Sequence, residues 1–440
     1  MTQTTRALNA AVTLRHTRDD RFKTARLSLF TVMPADAEAS PLTTLLFGIL
    51  RRGSEHYPRL ALLNRRLDEL YGTTLTIRNY LHGDSHVVCY TAEMPEQRFL
   101  PPADASMDVL GSVTALLADM ILRPLRDPDG CLRAEAVEKE KQSLCDSLRS
   151  LRNDTRAYAG NRLREIMCPR EPYGISIGGT VEQVMAITPT RITDHHRSLL
   201  ERTRMEVFYT GRASVEEVME AWTRAFGDWS PVSTDVPSAV RHHPPAAVCR
   251  GEEDMAVSQG KLCMAWSCGE SFKTLQADPD TLAAYAVCNE LFGVMQSSLL
   301  FRHVREERGL CYFCDSALDM TKGILWVSCG IRSDKRREAE EAITAELDAI
   351  RKGQISDADV ELAKLSLQNS YRQIRDSQAS MEVFAFNRLM NDTPDSPEEE
   401  MGRILAVTPA DVVAVANRFR ADTVFFLNGT AAGEGEDEDE

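Results

Sequence analysis

The sequence carries one short pattern twice, half a chain length apart, and this repetition restricts the fold more than any other feature. The pair Thr-Pro at 188–189 begins a helical stretch that leads into an apolar strand at 207–211, and the same pair at 408–409 leads into a strand at 424–429. In both copies Thr suits the N-cap, and Pro suits the first helical turn, where its missing N–H costs nothing. A second echo is the tripeptide Leu-Phe-Gly, at 46–48 and 291–293. Two echoes in the same order indicate a duplicated domain.

Strand-like segments precede helix-like segments in both halves of the chain. The predicted strands lie near 9–16, 23–33, 310–319 and 323–331, with a hairpin near 73–94, and the predicted helices lie near 41–52, 58–71, 104–121, 132–156, 279–295, 298–308, 334–352 and 356–376. This order predicts an α+β fold made of two duplicated domains, each an antiparallel sheet with helices packed mainly on one face.

The two predicted domains span residues 1–228 and 251–430. The segment 229–250 between them is rich in Pro, Ser and Val and lacks periodicity, which is typical of a linker. Residues 431–440 form an acidic run without an apolar anchor, so we expect a disordered tail there.

The charge balance is acidic, with a formal net charge of −15 and six acidic side chains among the last seven residues. This excess of negative charge argues against binding to a nucleic-acid backbone. The first residues show no apolar signal region, and no stretch approaches a membrane span, so no membrane partner is expected. Several of the 11 cysteines lie in apolar runs, as expected of small buried side chains in a reducing compartment. We therefore expect a cytoplasmic protein.

Two segments resemble the insulinase/pitrilysin peptidases, which are inverzincins. The run LTTLLFGILRRGSEHYP at 42–58 is similar to the helix that carries H-x-x-E-H in that family. The run SSLLFRHVREERGLCYFCDS at 297–316 is similar to the family's second-half segment, in which a helix end with Arg leads into Gly-Leu-x-Tyr. The two Thr-Pro helices fit the same family, so the resemblance extends over roughly residues 8–428, and it is nearest to a non-catalytic branch.

The zinc motif of the family is missing from this chain. In the motif, two His one turn apart bind Zn²⁺, the Glu between them acts as general base, and a distant Glu completes the ligands. The resemblance places Thr44, Phe47 and Gly48 at the His, Glu and His positions. It places Glu138 at the third ligand position and Cys131 at the position of a further family Glu. One remaining carboxylate cannot hold a catalytic zinc, so we predict no metal site, no cofactor and no catalytic residue.

The other histidines and cysteines do not predict a replacement site. His82 and His86 are spaced like metal ligands, but the Gly-Asp between them indicates a hairpin on which they do not converge. The C-x-x-C at 311–314 lies on a predicted strand, where side chains three residues apart point to opposite faces. The adjacent pairs His195-His196 and His242-His243 are interpreted as part of a polar helix face and of a loop.

Arg305 and Tyr312 are the predicted substrate-binding residues. In family members an Arg and a Tyr of the second-half segment contact the substrate backbone and the oxygen that becomes negative in the transition state, and Arg305 and Tyr312 match this pair. A guanidinium and a phenol are good donors to such an oxygen. The alternative is that Arg305 is one charge of a mixed helix end and Tyr312 an ordinary strand residue.

The resemblance implies a substrate-binding subunit of a heterodimeric zinc metallopeptidase, since family enzymes can be divided between two chains. One chain supplies zinc and the other the Arg/Tyr pair, so the expected partner is an insulinase-family chain that carries H-x-x-E-H, and the substrate is a peptide. Two alternatives stay open: a stand-alone peptide-binding or scaffold protein, and an active metallopeptidase with a relocated metal site. A neighbouring reading frame for an H-x-x-E-H relative would favour the first interpretation, and metal analysis would decide the last.

Overall fold

The structure is a computed structural model, and it describes residues 3–236, 239–240, 242–276, 278–393 and 396–430. The predicted tail, 431–440, lies outside these described residues. The chain divides into two units by its internal contacts. Unit 1 comprises Met1–Ser150 and Ile175–Pro237, and unit 2 comprises Leu151–Gly174 and Ser238–Glu440.

The strands are, in chain order, β1 Gln3–Ala7, β2 Val12–Arg18, β3 Thr24–Pro34, β4 Thr74–His82, β5 Ser85–Pro95, β6 Arg202–Gly211, β7 Val232–Ser233, β8 Cys249–Met255, β9 Gly260–Ser267, β10 Cys311–Asp319, β11 Ile324–Ile331 and β12 Arg420–Gly429. The α-helices are α1 Ala39–Arg52, α2 Leu60–Glu69, α3 Val109–Leu122, α4 Ala134–Ser150, α5 Thr155–Met167, α6 Val181–Met185, α7 Pro189–Glu201, α8 Val215–Phe226, α9 Pro279–Asn289, α10 Arg336–Arg351, α11 Asp357–Gln373, α12 Gln378–Asn391, α13 Pro397–Ala406 and α14 Pro409–Ala416. Two further segments, Glu290–Val294 and Leu300–Glu307, are π-helical.

The two sheets contain the same strand order, which confirms the predicted α+β fold of duplicated domains. In unit 1 the order is β1-β2-β6-β3-β5-β4, and in unit 2 it is β10-β11-β9-β12-β8. Reading unit 1 from β4 to β2 therefore gives the order of unit 2 from β10 to β8. The main pairings are antiparallel, but β2 pairs with β6 and β8 with β12 in parallel, so a parallel pair lies near the same end of each sheet. In unit 1 the short strand β7 also pairs with β6 in parallel.

The repeated Thr-Pro pairs begin equivalent helices. Thr188 caps α7 by accepting a hydrogen bond from the backbone of Arg191, and Thr408 caps α14 through a reciprocal capping box with Asp411. Each helix then leads into a central strand, β6 or β12. Satisfying the first N–H groups in this way stabilises the helix start, which is why the pattern is visible in the sequence.

Apolar side chains of the helices pack against one face of each sheet. In unit 1, residues such as Leu27 and Leu29 of β3 join side chains of α1, α3 and α8 in one core. In unit 2, Leu262 and Met264 of β9 join side chains of α9, α10 and α14. Among the residues that the structure describes, no helix has both the length and the apolar character needed to cross a membrane.

Helix α5 packs on the other face of the unit 2 sheet. Its Ala159, Leu163 and Met167 contact a cluster that includes Cys263 of β9 and Phe425 of β12. The expected boundaries, 1–228 and 251–430, treated each half as continuous. The division by contacts instead assigns Leu151–Gly174 to unit 2. The physical reason is that α5 buries its apolar face against the sheet of unit 2, although the strands of that sheet lie far along the chain from α5.

Candidate functional site

Thr44, at the first zinc-ligand position of the family, has its hydroxyl group fully engaged within unit 1. Its Oγ1 donates to the carbonyl oxygen of Ile177 at 2.8 Å and accepts from Nδ2 of Asn79, also at 2.8 Å. Oδ1 of Asn79 in turn accepts a hydrogen bond from Nε2 of His86. At the position where the family has a zinc-binding His, this chain therefore has a hydroxyl group that belongs to a chain of hydrogen bonds.

Phe47, at the general-base position, is a core residue. Its side chain is buried, and its ring lies 5.5 Å from the ring of Tyr90 at a tilt of 45°. Burial raises the pKa of Tyr90 well above its ordinary value, so the phenol is neutral and donates weakly, at 3.5 Å, to the carbonyl oxygen of Phe47. An aromatic pair of this kind stabilises the core and cannot transfer a proton to or from a bound water.

Gly48, at the second ligand position, lies against a carboxylate. A Cβ atom built there would collide with the side chain of Glu140 from α4. That carboxylate is held by Arg52, one turn further along α1, whose Nε lies 2.5 Å from Oε2 of Glu140. A second nitrogen of Arg52 donates to Ser143 Oγ at 3.0 Å. A guanidinium thus neutralises the carboxylate that faces this part of the helix.

The residue opposite Gly48 is therefore Glu140, and the resemblance pointed two residues too early, to Glu138. The Glu138 side chain is about half exposed and pairs with Lys141 at 3.0 Å. Residues two apart on a helix lie about 200° apart around its axis, so only one of the two carboxylates can face α1. Cys131, assigned to the further Glu position, lies in the loop before α4, with its Sγ 3.9 Å from the hydroxyl of Thr190.

These residues do not fit a zinc ion. Catalytic zinc needs three protein ligands with free lone pairs and an open fourth position. Here Thr44 is hydrogen-bonded on both sides, Phe47 and Gly48 offer no donor atom, and Glu140 is bound to Arg52. No catalytic step can be derived through a metal at this helix.

His82, His86, His195 and His196 of unit 1 do not form a metal site. The register of the β4–β5 hairpin places Leu81 opposite His86, so His82 and His86 point to opposite faces of the sheet and cannot share an ion. Burial lowers the pKa of His86 to about 4. His195 and His196 contact separate partners: the hydroxyl of Thr43 at 2.9 Å and the carbonyl oxygen of Ile121 at 2.8 Å. His196 is buried, so this pair is not simply a polar helix face.

His242 belongs to a buried charge network that the sequence did not reveal. Its ring nitrogens lie 2.6 Å from Glu171 and 3.0 Å from Asp422, and Lys322 lies 2.7 Å from Glu171. Burial alone would lower the pKa of His242, but hydrogen bonds to Asp422, Cys168 and Glu171 raise it to about 11. His242 lies in a loop, as the sequence predicts, but it is buried there, and its contact with Asp422 anchors the start of the described segment 242–276 to the sheet of unit 2. The sequence could not indicate the contact between His242 and Asp422, because the two residues are 180 positions apart.

Arg305 lies in the π-helical segment Leu300–Glu307, with its guanidinium 4.6 Å from the ring centroid of Phe301 and 3.4 Å from Glu306. Its side chain remains 39% exposed. Tyr312 lies at the start of β10 and is 75% exposed, although the neighbouring Cys311 and Phe313 positions pair with β11. The structure thus places both predicted substrate-binding residues in unit 2, on consecutive elements, with polar groups that reach the surface. Their role in binding stays a prediction.

Tyr312 protrudes because it is the extra residue of a β-bulge. Cys311 pairs with Ile331 and Phe313 with Gly330, so two steps along β10 correspond to one step along β11. This bulge also overturns the expectation for the C-x-x-C. It brings Cys311 to the same face as Cys314, which pairs directly with Cys329. The Sγ atoms of Cys311, Cys314 and Cys329 all lie within 4.8 Å of one another.

The three thiols interact. Hydrogen bonds from Cys314 and Cys329, with a smaller contribution from the charge of Arg305, lower the pKa of Cys311 to about 4. The corresponding bonds to Cys311 raise the pKa of Cys314 and of Cys329 well above the ordinary value.

The fold and the altered helix together define the class of this protein as a two-unit insulinase-type peptidase fold without the zinc ligands. Residues 186–367 match the family model described as "Peptidase M16 inactive domain". Over 413 residues the chain is 25% identical to "Probable inactive metalloprotease YmfF" of Bacillus subtilis (strain 168), covering 93% of this chain and 94% of that protein.

Solved structures have the same fold over nearly the whole chain. A conserved protein from Enterococcus faecalis V583 is 25% identical with a TM-score of 0.88, covering 98% of this chain and 100% of that one. A peptidase M16 inactive domain from Pseudomonas fluorescens is similar in fold, with a TM-score of 0.77 at 15% identity and coverage of 99% and 100%. In sequence and fold the chain is thus similar to the insulinase/pitrilysin, or M16, peptidases, and in particular to the inactive homologue YmfF.

Proposed function

We propose that this chain is the substrate-binding subunit of a heterodimeric zinc metallopeptidase in the cytoplasm. Its partner would be an insulinase-family chain that carries H-x-x-E-H, and the substrate of the pair would be a peptide. The contrast between the closed zinc helix and the exposed donors of unit 2 supports it.

The observation that carries the proposal is the exposed phenol of Tyr312 on a bulge of an edge strand. Strand β10 stands at one end of the five-stranded sheet, so among the strands that the structure describes only β11 pairs with it. An edge strand can bind an extended peptide through its outer backbone groups. A bulge re-aims a side chain at such an edge, here the hydroxyl-bearing ring of Tyr312.

Arg305 adds a positive charge on the element that precedes β10. Its guanidinium packs on Phe301, which limits its freedom, but the side chain is still accessible to a ligand. A planar fork and a phenol can donate hydrogen bonds to a peptide carbonyl, and these bonds strengthen as its oxygen becomes negative. The partner's zinc would supply the chemistry that this chain lacks.

The test is to purify the chain together with an H-x-x-E-H relative from the same genome and to measure cleavage of an unstructured peptide. We expect cleavage only when both chains are present. Arg305→Ala and Tyr312→Phe should leave the complex assembled while reducing its turnover. Arg308→Ala is the matched control, because Arg308 is an exposed arginine one residue beyond the same π-helical segment.

Two other outcomes would identify the alternative functions. Normal turnover in both Arg305→Ala and Tyr312→Phe would remove this site from the proposal and leave a scaffold. Chelator-sensitive cleavage by the purified chain alone would instead reveal an active metallopeptidase with a relocated site.

A further inference from the structure

We propose that Cys311, Cys314 and Cys329 form a binding site for a thiophilic metal ion, of which Zn²⁺ is the expected example. The site is distinct from the lost zinc position on α1, since it lies in unit 2 and uses sulfur ligands only. It is also independent of the proposed substrate-binding role. It revises the expectation, drawn from the sequence, that the chain has no metal site.

The geometry of the strands brings the three sulfur atoms together. Cys314 and Cys329 are direct partners across β10 and β11, and the bulge at Tyr312 sets Cys311 opposite Ile331, two residues from Cys329 on the same face. Thiolates around Zn²⁺ at about 2.3 Å lie roughly 4 Å apart. The sulfur atoms here already lie within 4.8 Å of one another, so rotation of the side chains suffices to enclose an ion.

The surroundings of the three sulfur atoms suit such an ion. Cys314 and Cys329 are buried in the main core of unit 2, while Cys311 is partly exposed and packs at its rim. The site is therefore reached from the Cys311 side, and a solvent molecule can complete a four-coordinate shell there.

The second cluster of possible ligands in unit 2 does not carry the same inference. Cys168, Glu171 and His242 are also close together. However, both ring nitrogens of His242 already contact carboxylates, and the buried Lys322 pairs with Glu171. A metal there would have to displace Lys322 from Glu171 and break the contacts of His242 with both carboxylates.

A disulfide between Cys314 and Cys329 is the competing chemistry, because these residues face each other across two strands. It would form one S–S bond with loss of two hydrogen atoms to an oxidant and would leave Cys311 alone. The metal proposal uses all three thiols, so the two can be told apart by the role of Cys311 and by the mass of the protein.

The experiment is a titration of the full, reduced chain with Co²⁺ under nitrogen, followed by displacement with Zn²⁺. We expect one equivalent of Co²⁺ to give the sulfur-to-cobalt charge-transfer absorption in the near ultraviolet and the visible bands of a four-coordinate ion. One equivalent of Zn²⁺ should abolish both. Metal should also raise the melting temperature, because it binds the folded state.

Cys311→Ser is the decisive variant, because this rim position tolerates a polar group without disturbing the core. Its affinity for Co²⁺ should fall by more than the roughly 10–100-fold that loss of a supporting residue costs at a metal site. Cys329→Ser should abolish the signal if the variant folds. Cys249→Ser, at another partly exposed cysteine of unit 2, should bind like the unaltered chain.

Three results would overturn the proposal. One is the absence of stoichiometric Co²⁺ binding by the reduced chain. Another is binding by Cys311→Ser that equals binding by Cys249→Ser. The third is a reduced, metal-treated chain that proves two hydrogen atoms lighter, with Cys314 and Cys329 joined in one peptide fragment.

Discussion

The two units have the same strand order, but the polar side chains that correspond to the family's functional sites are bound internally in unit 1 and exposed in unit 2. In unit 1, the groups around the former zinc helix are bound to one another, as Thr44 is to Asn79 and Glu140 is to Arg52. In unit 2, the start of β10 leaves Tyr312 exposed, and the thiols of Cys311 and Cys314 lie close to that of Cys329 on β11. The two units therefore share a backbone arrangement but differ in the chemistry of their side chains. A site that loses its metal must satisfy its remaining polar groups internally, because buried groups without partners are costly.

The contrast between the two units can first be tested on α1, by placing a Glu at the position where the family has its general base. Phe47→Glu should lower the free energy of unfolding by about 3–5 kcal/mol, because it removes a buried ring and buries a carboxylate beside Tyr90. Denaturant unfolding measures this change. Arg51→Gln, on the exposed side of the same helix, should stay within about 0.5 kcal/mol of the unaltered chain. A stable Phe47→Glu chain would show that the helix still has room for a catalytic carboxylate.

The buried network of unit 2 should be nearly as sensitive. His242→Gln leaves Glu171 and Asp422 with Lys322 as the remaining buried cation, and loss of one member of such a network costs about 3–5 kcal/mol. Hydrogen exchange of β12 would report the loss locally. His243→Gln changes the exposed neighbour and should have a much smaller effect. Equal effects of the two variants would contradict the assigned network.

The buried histidines predict that the stability of the two units responds to pH in opposite directions. His242 has a folded-state pKa of about 11, above its ordinary 6.5, so its stabilisation is complete below about pH 6.5 and is lost as the pH rises toward 11. His86 and His196 have folded-state pKa values of about 4, so their contribution is complete above about pH 6.5 and is lost as the pH falls toward 4. Hydrogen exchange at about pH 5 and about pH 9 should therefore show acid weakening unit 1 and alkali weakening unit 2. The same direction in both units would refute this assignment.

The exposed donors of unit 2 should matter for turnover and little for stability. Arg305→Ala should reduce the turnover of the complex by about 10²–10³, the range for one oxyanion donor, with an unchanged melting temperature. Arg305→Lys should rescue poorly, because an ammonium lacks the planar fork. The opposite pattern, normal turnover with a lowered melting temperature, would assign Arg305 to the packing of its helix.

The smallest effect is expected at the ion pair that faces Gly48. Arg52→Ala removes the partner of Glu140, and a partly exposed pair of this kind contributes about 0–1 kcal/mol. The variant should melt close to the unaltered chain and should gain no zinc at α1, since Phe47 and Gly48 still offer no ligand. A gain of one zinc that also requires Glu140 would show that the guanidinium alone had excluded the metal.

Local patterns predicted much of the fold because local physics produces them. The Thr-Pro caps at 188 and 408 mark helix starts that the structure contains, and the hairpin predicted near 73–94 corresponds to β4 and β5. The domain boundaries were harder to predict, since α5 packs on a sheet whose strands begin about a hundred residues later along the chain. Periodicity shows that a helix has an apolar face but not which sheet covers it.

The sequence alone determined that the family's zinc chemistry is absent, because the identity of Phe47 and Gly48 excludes proton transfer and coordination in any fold. Tertiary structure decided which residues interact. The rotation of α4 selects Glu140 instead of Glu138 to face α1, and one extra residue at Tyr312 turns Cys311 to the side of Cys314 and Cys329. Side chains on a strand alternate with a period of two, so a single bulge reverses every inference made across it. A bulge is set by pairing with a distant strand, which is why packing and not sequence placed the three thiols together.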